Sequence, residues 1–589
     1  MLPLRWHLRF SLAALCLMLI VPFLNPHHYN PIPTFYQEWS AVAFSLLALT
    51  LLLRREILNQ LEVPAIALLP LGIGALLLAQ FATGSVEFLS QALIFLLYLL
   101  WAMFMLIIGG ALRQRLGLDG LVTPLAFALL SGGLLAAGLL GLQLSSSPLG
   151  LGFVFQRAGG GGIGNLAQPN HLANYLWLGL ASAIYLYGQG RLGKLTFALS
   201  ALLLLSCASL TGSRSVLLYA TGFALLSGWA AWHYKLPALY KIARVALLLL
   251  PLTFLIQFTF SYFDLANLLG TSVSGERFFR EVSGPSMRLQ LWRTGLAIFA
   301  DHPWLGAGIG QFPWNFYILV GAQADGTYIG GGEHAHNLFI QLLAEFGIIA
   351  PLLVLLLGWR WWLGFVGQNW TPAHWWIAAV LLVEAVHSQL EYPLWYTFFL
   401  GIAALAFGAG STGSRATIRP KISRLGRLIV ALMLLLGGVT LFTLGNDYRT
   451  LERTLNTRWQ GGQRDQETWD KHLATLARLH RESLLSHYVE LVYAYSLAVD
   501  RDALKEKIIV SQHAISFSPV AKITFNLACL LALDGQAEEA QLALRRALGT
   551  HPDQRAKALR QIKDLLTTYP ELSPLLEQLE TVDEPGKSS

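Results

Sequence analysis

Long apolar runs separated by short polar segments recur along the chain as far as about Gly445. Many of these runs reach the roughly 20 residues that a helix needs to cross a hydrocarbon layer of about 30 Å. The pattern therefore predicts an all-α polytopic membrane protein with about thirteen transmembrane helices. The predicted spans are 10–25, 39–53, 64–82, 88–111, 119–142, 171–188, 195–210, 215–233, 242–262, 338–358, 374–390, 393–409 and 428–445.

Polar stretches divide this pattern into four predicted parts. Residues 1–262 carry spans one to nine, residues 263–337 form a large loop, and residues 338–445 carry spans ten to thirteen. Residues 446–589 are charged, which predicts a tail of short helices outside the membrane, a kind of surface that usually binds partners. In that tail, one set of residues has the spacing of a tetratricopeptide-like helical hairpin: Leu527, Ala528, Ala540, Leu544, Ala547 and Pro552.

The charges in the loops predict which side each loop faces. Basic residues accumulate in alternate loops, most densely between Arg415 and Arg427, and such loops face the cytoplasm. The loop 263–337, the segment 145–170 and the tail then lie on the outer side. Arg214 breaks the charge pattern, because it also lies on the outer side. It is either an arginine that extends toward lipid head groups or a contact for an anion such as a pyrophosphate.

Composition agrees with the membrane class and excludes others. The chain is 54% hydrophobic and 13% charged, and its mean hydropathy is +0.52. Its net charge of +7 could indicate nucleic-acid binding, but the basic residues lie mostly in short loops where they orient helices, so nucleic acid is disfavoured as a partner. The three cysteines do not form a disulfide framework within the chain.

The first polar element on the outer side is Gly159 to Asn170. Its glycines permit sharp turns or close approach to a ligand. Asn165, Gln168 and Asn170 supply neutral donors and acceptors that suit sugar hydroxyls. The alternative is a flexible loop in which Asn170 caps the following helix.

The second element is a predicted helix from Pro285 to Ala300. One apolar face is predicted for it, and a helix of this kind could rest in the outer membrane interface. The residues of this face are Leu289, Trp292, Leu296 and Phe299. Arg288 lies off the face, where it either holds a lipid phosphate or extends toward head groups. The glycines at 306, 308 and 310 predict a turn rather than a phosphate loop, because no strand precedes them.

The third element is the histidine pair His334 and His336, before an apolar helix predicted to begin near Leu338. Two histidines at i and i+2 do not share a helical face, and no further ligand follows at zinc spacing, so a zinc site is not expected. One imidazole could accept or orient a hydroxyl proton, or bind phosphate when protonated. Alternatively, the pair caps the helix.

The fourth element lies at the outer end of span eleven and the start of span twelve. It contains Glu384, His387, Gln389, Glu391, Tyr392 and Tyr396. A carboxylate within a span must be paired or protonated, which makes Glu384 notable. The tyrosines, together with Trp395, could instead form an aromatic belt at the membrane interface.

Taken together, these motifs resemble the bacterial O-antigen ligase and polymerase superfamily, and most closely its protein O-oligosaccharyltransferase branch. His336-Asn337-Leu338-Phe339 with Leu342 to Gly347 is similar to the signature that ends the family's large periplasmic loop. Arg288 to Trp292, Pro303 to Gly308 and Ser213-Arg214-Ser215 are similar to its other outer motifs. Gly164 to Asn170 and Glu391 to Tyr396 resemble motifs that mark ligases acting on pilin-type proteins.

The resemblance implies a GT-C-like ligase fold and assigns roles to residues. The residues implied to be needed for activity are Gln168, His336 and Tyr396, and Arg214 and Arg288 would bind the diphosphate. Tyr392 competes with Tyr396, and His334 competes with His336. The remaining candidates for contact with the donor glycan or its diphosphate are Asn165, Asn170, Asn337 and Glu391.

The resemblance also implies the reaction and its setting. A glycan would be transferred, with inversion and without a metal, from undecaprenyl diphosphate to serine or threonine hydroxyls of periplasmic proteins such as pilins. The enzyme would be embedded in the lipids of the bacterial inner membrane, with its active site on the periplasmic face and a periplasmic helical tail. The rival acceptor is the lipid A core, or another glycan in a polymerase. A transporter is a more distant alternative, since the polar clusters lie at the outer ends of spans rather than at the midplane.

Overall fold

Helices follow one another along the chain in the order that the apolar pattern predicts. This computed structural model describes residues 3–145, 152–155, 163–264, 269, 287–322, 332–412, 417–418, 424–460 and 466–581. The helices before the large loop are α1 (Leu4–Met18), α2 (Val21–Leu24), α3 (Phe35–Leu49), α4 (Arg55–Leu58), α5 (Leu68–Ala82), α6 (Leu89–Leu144), α7 (Pro169–Gly188), α8 (Lys194–Leu210), α9 (Ser215–Tyr234) and α10 (Pro237–Tyr262).

The second half of the chain is helical as well. Its helices are α11 (Met287–Asp301), α12 (Phe312–Ala322), α13 (Leu338–Phe346), α14 (Ile349–Val366), α15 (Pro372–Ser388), α16 (Thr397–Gly410), α17 (Arg424–Gln460), α18 (Gln466–Glu482), α19 (Ser486–Ser496), α20 (Leu504–Phe517), α21 (Ala521–Leu533), α22 (Ala537–Thr550), α23 (Arg555–Leu566) and α24 (Ser573–Thr581). Two short strands, β1 (Val63–Pro64) and β2 (Thr417–Ile418), pair antiparallel.

Among the described residues, eight helical segments are long and apolar enough to cross a membrane. They are Leu4–Leu24, Phe35–Leu53, Ala65–Ala82, Leu89–Leu144, Ser215–Tyr234, Pro237–Tyr262, Ile349–Val366 and Arg424–Leu455. Lys194–Leu210 and Thr397–Gly410 are shorter apolar helices. The protein is therefore an all-α multi-pass membrane protein, whereas the count of thirteen spans stays a prediction.

Two glycines break helices within long apolar stretches. Gly117 (φ 71°, ψ 166°) interrupts α6, which separates the two predicted spans 88–111 and 119–142. Gly347 (φ 63°) ends α13, so the predicted span 338–358 is wrong as a single helix. The apolar pattern alone does not reveal this break, because apolar residues continue through it into α14.

The chain divides into two compact units, which are described separately. Unit 1 comprises 1–73, 97–285 and 353–443, and unit 2 comprises 74–96, 286–352 and 444–589. In unit 1 the helix α7 is buried along most of its length, because all of its residues from His171 to Leu186 are buried. It packs against α8, α9, α10 and α15. This central position fixes the N-terminus of α7, where the Gly164 to Asn170 motif ends.

Close contacts explain why α7 is so buried. Tyr175 stacks on Phe23 with 3.9 Å between ring centroids and donates from its hydroxyl to Leu19 O at 2.8 Å. A Cβ on Gly132 of α6 would lie 1.8 Å from that hydroxyl. Only glycine fits there, and small residues of this kind allow helices in membranes to approach closely.

Unit 2 contains the charged tail and part of the large loop. The predicted helical hairpin is present as α21 and α22, and its predicted contact residues Leu527, Ala528, Ala540, Leu544 and Ala547 are all buried. The loop helix α12 packs against α22, and Tyr317 belongs to the core of the tail. Membership of the tetratricopeptide class stays a prediction, but these residues do form one packed helical body.

Candidate functional site

In unit 1, the side chain of Asn170 joins two segments that are distant in sequence. Its Nδ2 donates to Glu391 Oε1 at 2.5 Å, and its Oδ1 accepts from Ser213 Oγ at 2.6 Å. Glu391 is only 5% exposed and Ser213 only 1% exposed. The structure thus brings three predicted motifs together: Gly164 to Asn170, Ser213 to Ser215, and Glu391 to Tyr396.

The helix α7 is capped by Gln168, not by Asn170. Gln168 Oε1 accepts from the backbone N–H of His171 at 2.6 Å, so the expectation that Asn170 provides the cap is wrong. Pro169 explains the difference, because proline is favoured at the first helical position, which puts the cap at Gln168, two residues before Asn170. Asn170 therefore lies inside the first turn, from which its amide reaches Glu391 and Ser213.

Asn165 binds the backbone of its own neighbourhood. Its Nδ2 donates to Leu24 O and to Phe153 O, both at 2.7 Å, and its Oδ1 accepts from Phe155 N at 3.0 Å. His28 Nε2 lies 2.6 Å from Asn165 O, and burial lowers the pKa of this imidazole. Asn165 thus holds the start of the motif in place, and its predicted contact with a glycan stays a prediction.

Tyr396 is tied to the same region by aromatic packing. Its ring lies edge-on to His171, with 5.0 Å between centroids, and Tyr392 lies 5.7 Å from Tyr396. Both tyrosines are half-buried. Because His171 follows Asn170 directly, Tyr396 lies beside the end of the Gly164 to Asn170 motif.

Arg214 lies immediately before α9, between the buried Ser213 and Ser215, and is itself half-buried. Ser213 Oγ and Ser215 Oγ are 2.7 Å apart. A helix N-terminus carries a partial positive charge and unused N–H groups, and a guanidinium beside it adds a full positive charge. The local electrostatics at this position therefore favour an anion.

Two buried polar residues of unit 1, Asn174 and Tyr219, were missed as site candidates. Tyr219 Oη lies 3.0 Å from His387 Nδ1 and also contacts Ser215. Glu384 lies against Asn174. Polar residues in an otherwise apolar helix are the sequence signal that could have identified Asn174 and Tyr219, since they are costly in a membrane unless they serve a purpose.

The histidine pair, Asn337 and Arg288 belong to unit 2. Asn337 caps α13, because its Oδ1 accepts from the backbone N–H groups of Phe339 and Ile340, both at 3.1 Å. The alternative in which the histidines cap this helix is therefore wrong. His336 has a φ of 49°, and His334 and His336 are both half-buried.

Arg288 is half-buried in the first turn of α11. The packed face of this helix carries Leu291 and Ile298, each 1% exposed, whereas Leu289 and Leu296 of the predicted face are 48% and 47% exposed. The predicted apolar face is thus not the one that packs within unit 2. The predicted apolar face instead lies exposed at the surface of the unit, which is the position expected for a helix that rests in the membrane interface.

The glycine segment after α11 is a turn, as predicted. Ala307 N and Gly308 N donate to Ala344 O and Glu345 O, at 2.9 and 3.2 Å. A Cβ at Gly306 (φ 73°) would lie 2.2 Å from the carbonyl carbon of Glu345. This turn packs on α13 and does not form a phosphate loop. Across the described residues, no group of three or more His, Cys, Asp or Glu side chains could hold a metal ion.

Comparisons with known proteins match the same segments. A family described as "O-Antigen ligase" matches residues 199–357, which include Arg214 and His336. A family described as "Protein glycosylation ligase" matches residues 163–187, which include Gln168 and Asn170. The chain is therefore similar to O-antigen ligases and protein glycosylation ligases over these segments, and the matches indicate an enzyme with a glycosyltransferase-type activity.

A third family and two relatives extend the match. A family described as "Virulence factor membrane-bound polymerase, C-terminal" matches residues 375–563. A "General O-oligosaccharyltransferase" from Acinetobacter baylyi is 29% identical over 414 residues, which is 67% of this chain and 68% of the relative. A "ComP-specific O-oligosaccharyltransferase" from the same organism is 22% identical over 236 residues, which is 40% of this chain and 41% of the relative.

Proposed function

We propose that this ligase transfers an oligosaccharide from undecaprenyl diphosphate to serine or threonine hydroxyls of periplasmic proteins such as pilins. The reaction would take place on the periplasmic side of the bacterial inner membrane. The observation that carries the proposal is the pair of hydrogen bonds made by Asn170, to Glu391 and to Ser213. They connect a segment matched by the protein glycosylation ligase family to the serine beside Arg214.

Charge neutralisation drives the departure of the diphosphate in this mechanism. Arg214 and Arg288 bind the diphosphate oxygens through charge-assisted hydrogen bonds, which stabilise the charge that develops as the bond to the anomeric carbon breaks. The acceptor hydroxyl oxygen attacks that carbon from the opposite face, so the configuration inverts. The proton of the hydroxyl passes to His336 and then to solvent.

The remaining candidates position the two substrates. Gln168 and Tyr396 lie at the N-terminus of α7 and beside it, and in this scheme they orient the acceptor segment and the reacting sugar. Asn165, Asn170, Tyr392 and Glu391 shape the glycan side of the site, while His334 and Asn337 flank His336. No step requires a metal ion, because the arginines supply the positive charge.

The rival acceptor is the lipid A core, and the O-antigen ligase match favours it as the second candidate. To separate the two, the chain is expressed with a lipid-linked glycan and a pilin in a host that lacks its own ligase. We expect modified pilin, detected as a mass increase equal to one glycan. Restored long lipopolysaccharide with unmodified pilin would contradict the proposal.

The number of acceptors needs its own experiment. One relative is named "general" and the other "ComP-specific", so relatives differ in the range that their names imply. Co-expression of several periplasmic proteins in the same host would measure this range. Each protein that serves as an acceptor would gain the same glycan mass.

A further inference from the structure

His336 has a backbone conformation that few residues with a side chain adopt. Its φ of 49° lies in the left-handed region. Such a conformation is unfavourable for a residue with a Cβ, and it persists only where the surrounding structure enforces it. The contacts on both sides of His336 therefore fix the backbone from which its imidazole projects.

Gln341 provides the contact on the N-terminal side. Its Oε1 accepts from the backbone N–H of Ala335 at 2.7 Å. Ala335 is fully buried at 0% exposure, in a small core with Leu291 and Phe316. On the other side, Asn337 caps α13. The backbone of His336 is thus held between one side-chain acceptor and one helix cap.

The chemical nature of Gln341 is informative because its surroundings are apolar. Gln341 is only 2% exposed and follows directly on Ile340, which packs against the same small core as Ala335. A methionine would fill the same volume without burying an amide, which is costly unless it is hydrogen-bonded. The acceptor oxygen for Ala335 is the feature that a methionine would lack.

The hydrogen bond from Ala335 fixes which end of the Gln341 amide faces it. A backbone N–H needs an acceptor, so the carbonyl oxygen of the amide points to Ala335. One helical turn further along α13, the Glu345 carboxyl accepts from Gly310 N–H through Oε1 at 2.9 Å. The glycine turn is thereby attached to the helix that carries Gln341.

We propose that Gln341 is a positioning residue for glycan transfer, holding the His336 imidazole in its reactive orientation through the N–H of Ala335. This inference rests on the proposed function, in which His336 receives or orients the proton of the acceptor hydroxyl. Gln341 itself touches neither substrate. Its removal should therefore lower the rate of the chemical step and leave donor affinity unchanged.

The test compares Gln341→Met and Gln341→Glu in the full-length protein in detergent micelles. The substrates are a synthetic, radiolabelled undecaprenyl diphosphate disaccharide and a purified pilin. We expect Gln341→Met to lower kcat by about 10- to 100-fold, because a misplacement of about 1 Å can cost that much, with the KM for the donor within about twofold of wild type. Gln341→Glu retains an acceptor oxygen and should restore most of the rate.

A double-mutant cycle separates positioning from a general structural effect. In a His336→Ala background, Gln341→Met should cause no further loss, because the group that it positions is gone. The matched control is Gln561→Met, which removes the tail hydrogen bond from Gln561 to Asn526 and should leave kcat unchanged. Thermal unfolding of each variant checks that the protein is folded.

Two outcomes would overturn the inference, and each differs from a failure of the proposed function. Wild-type kcat in Gln341→Met would exclude a positioning role, as would an equal fold-loss with and without His336. If Gln341→Glu does not fold, the Met variant and the cycle still decide. If wild type transfers no glycan to pilin, or His336→Ala retains full activity, the proposed function or the role of His336 fails instead.

Discussion

At the scale of single residues, Asn170 connects three segments of unit 1 that are distant in sequence. Its amide uses both ends, since the nitrogen donates to Glu391 and the oxygen accepts from Ser213. The sequence predicts polar residues at all three positions, because each falls in a recognisable motif. It does not predict their pairing, because the partners are 221 and 43 positions away from Asn170 and no periodic pattern connects them.

We expect Asn170→Ala to lower the rate of glycan transfer by about 10- to 100-fold. The buried Glu391 would lose a hydrogen-bond donor, and such a loss costs about 1–3 kcal/mol. Initial rates with a lipid-linked glycan and pilin measure the effect. Glu391→Gln keeps an acceptor for Asn170 and should be milder. Asn59→Ala, at an exposed position, is the control, and equal rates for the two alanine variants would contradict this prediction.

A second prediction separates the two histidines. His336→Ala should lower kcat by about 10² to 10⁴, the typical contribution of general-base help, whereas His334→Ala should cost less than about tenfold. The reason is that His336 alone of the pair has the enforced left-handed backbone. Single-turnover rates at saturating donor measure both variants, and the reverse order would assign the base role to His334.

At the scale of elements, the apolar pattern predicts most helices but not how they end or which face packs. The break at Gly347 was missed because the apolar run continues on both sides of it. The sequence did not predict which face of α11 packs within unit 2, because two sets of residues have helical spacing, and only the position of α12 and α13 selects Leu291 and Ile298 for burial. The end of α13 and the packed face of α11 both depend on tertiary contacts, which the periodicity of a single sequence does not reveal.

The tail helix α19 gives a prediction about pH. His487 is 3% exposed, its Nδ1 lies 2.8 Å from Ser90 Oγ, and burial lowers its pKa to about 3. Protonation therefore favours the unfolded state, in which the pKa is near 6.5. The stabilisation is fully present above pH 6.5 and is lost as the pH falls from 6.5 toward 3.

We expect the thermal unfolding temperature to fall across this range, and to fall less steeply in His487→Gln. Differential scanning fluorimetry in detergent from pH 7.5 to pH 4.5 measures both slopes. His472→Gln, on α18, serves as the control because it leaves the contact with Ser90 intact. Identical slopes for His487→Gln and wild type would exclude His487 as the source of the pH dependence.

At the scale of the whole molecule, the proposed mechanism uses fixed positive charge instead of a metal ion. In this mechanism two arginines place two fixed positive charges beside the leaving diphosphate, where they stabilise its developing negative charge. We therefore expect about 1 mM EDTA to leave the initial rate within about twofold of the untreated enzyme. A parallel reaction of a metal-dependent glycosyltransferase is the positive control. Loss of activity that manganese restores would contradict the mechanism.

The packing of α12 against the tail affects how chimeric proteins should be designed. Residues 312–322 belong to the loop by order along the chain, yet they pack on α22 of the tail, where Tyr317 is 2% exposed. A chimera that exchanges only residues 446–589 would leave this aromatic surface facing a foreign helix. Domain swaps intended to change which polypeptides are modified should therefore exchange residues 312–322 and the tail together.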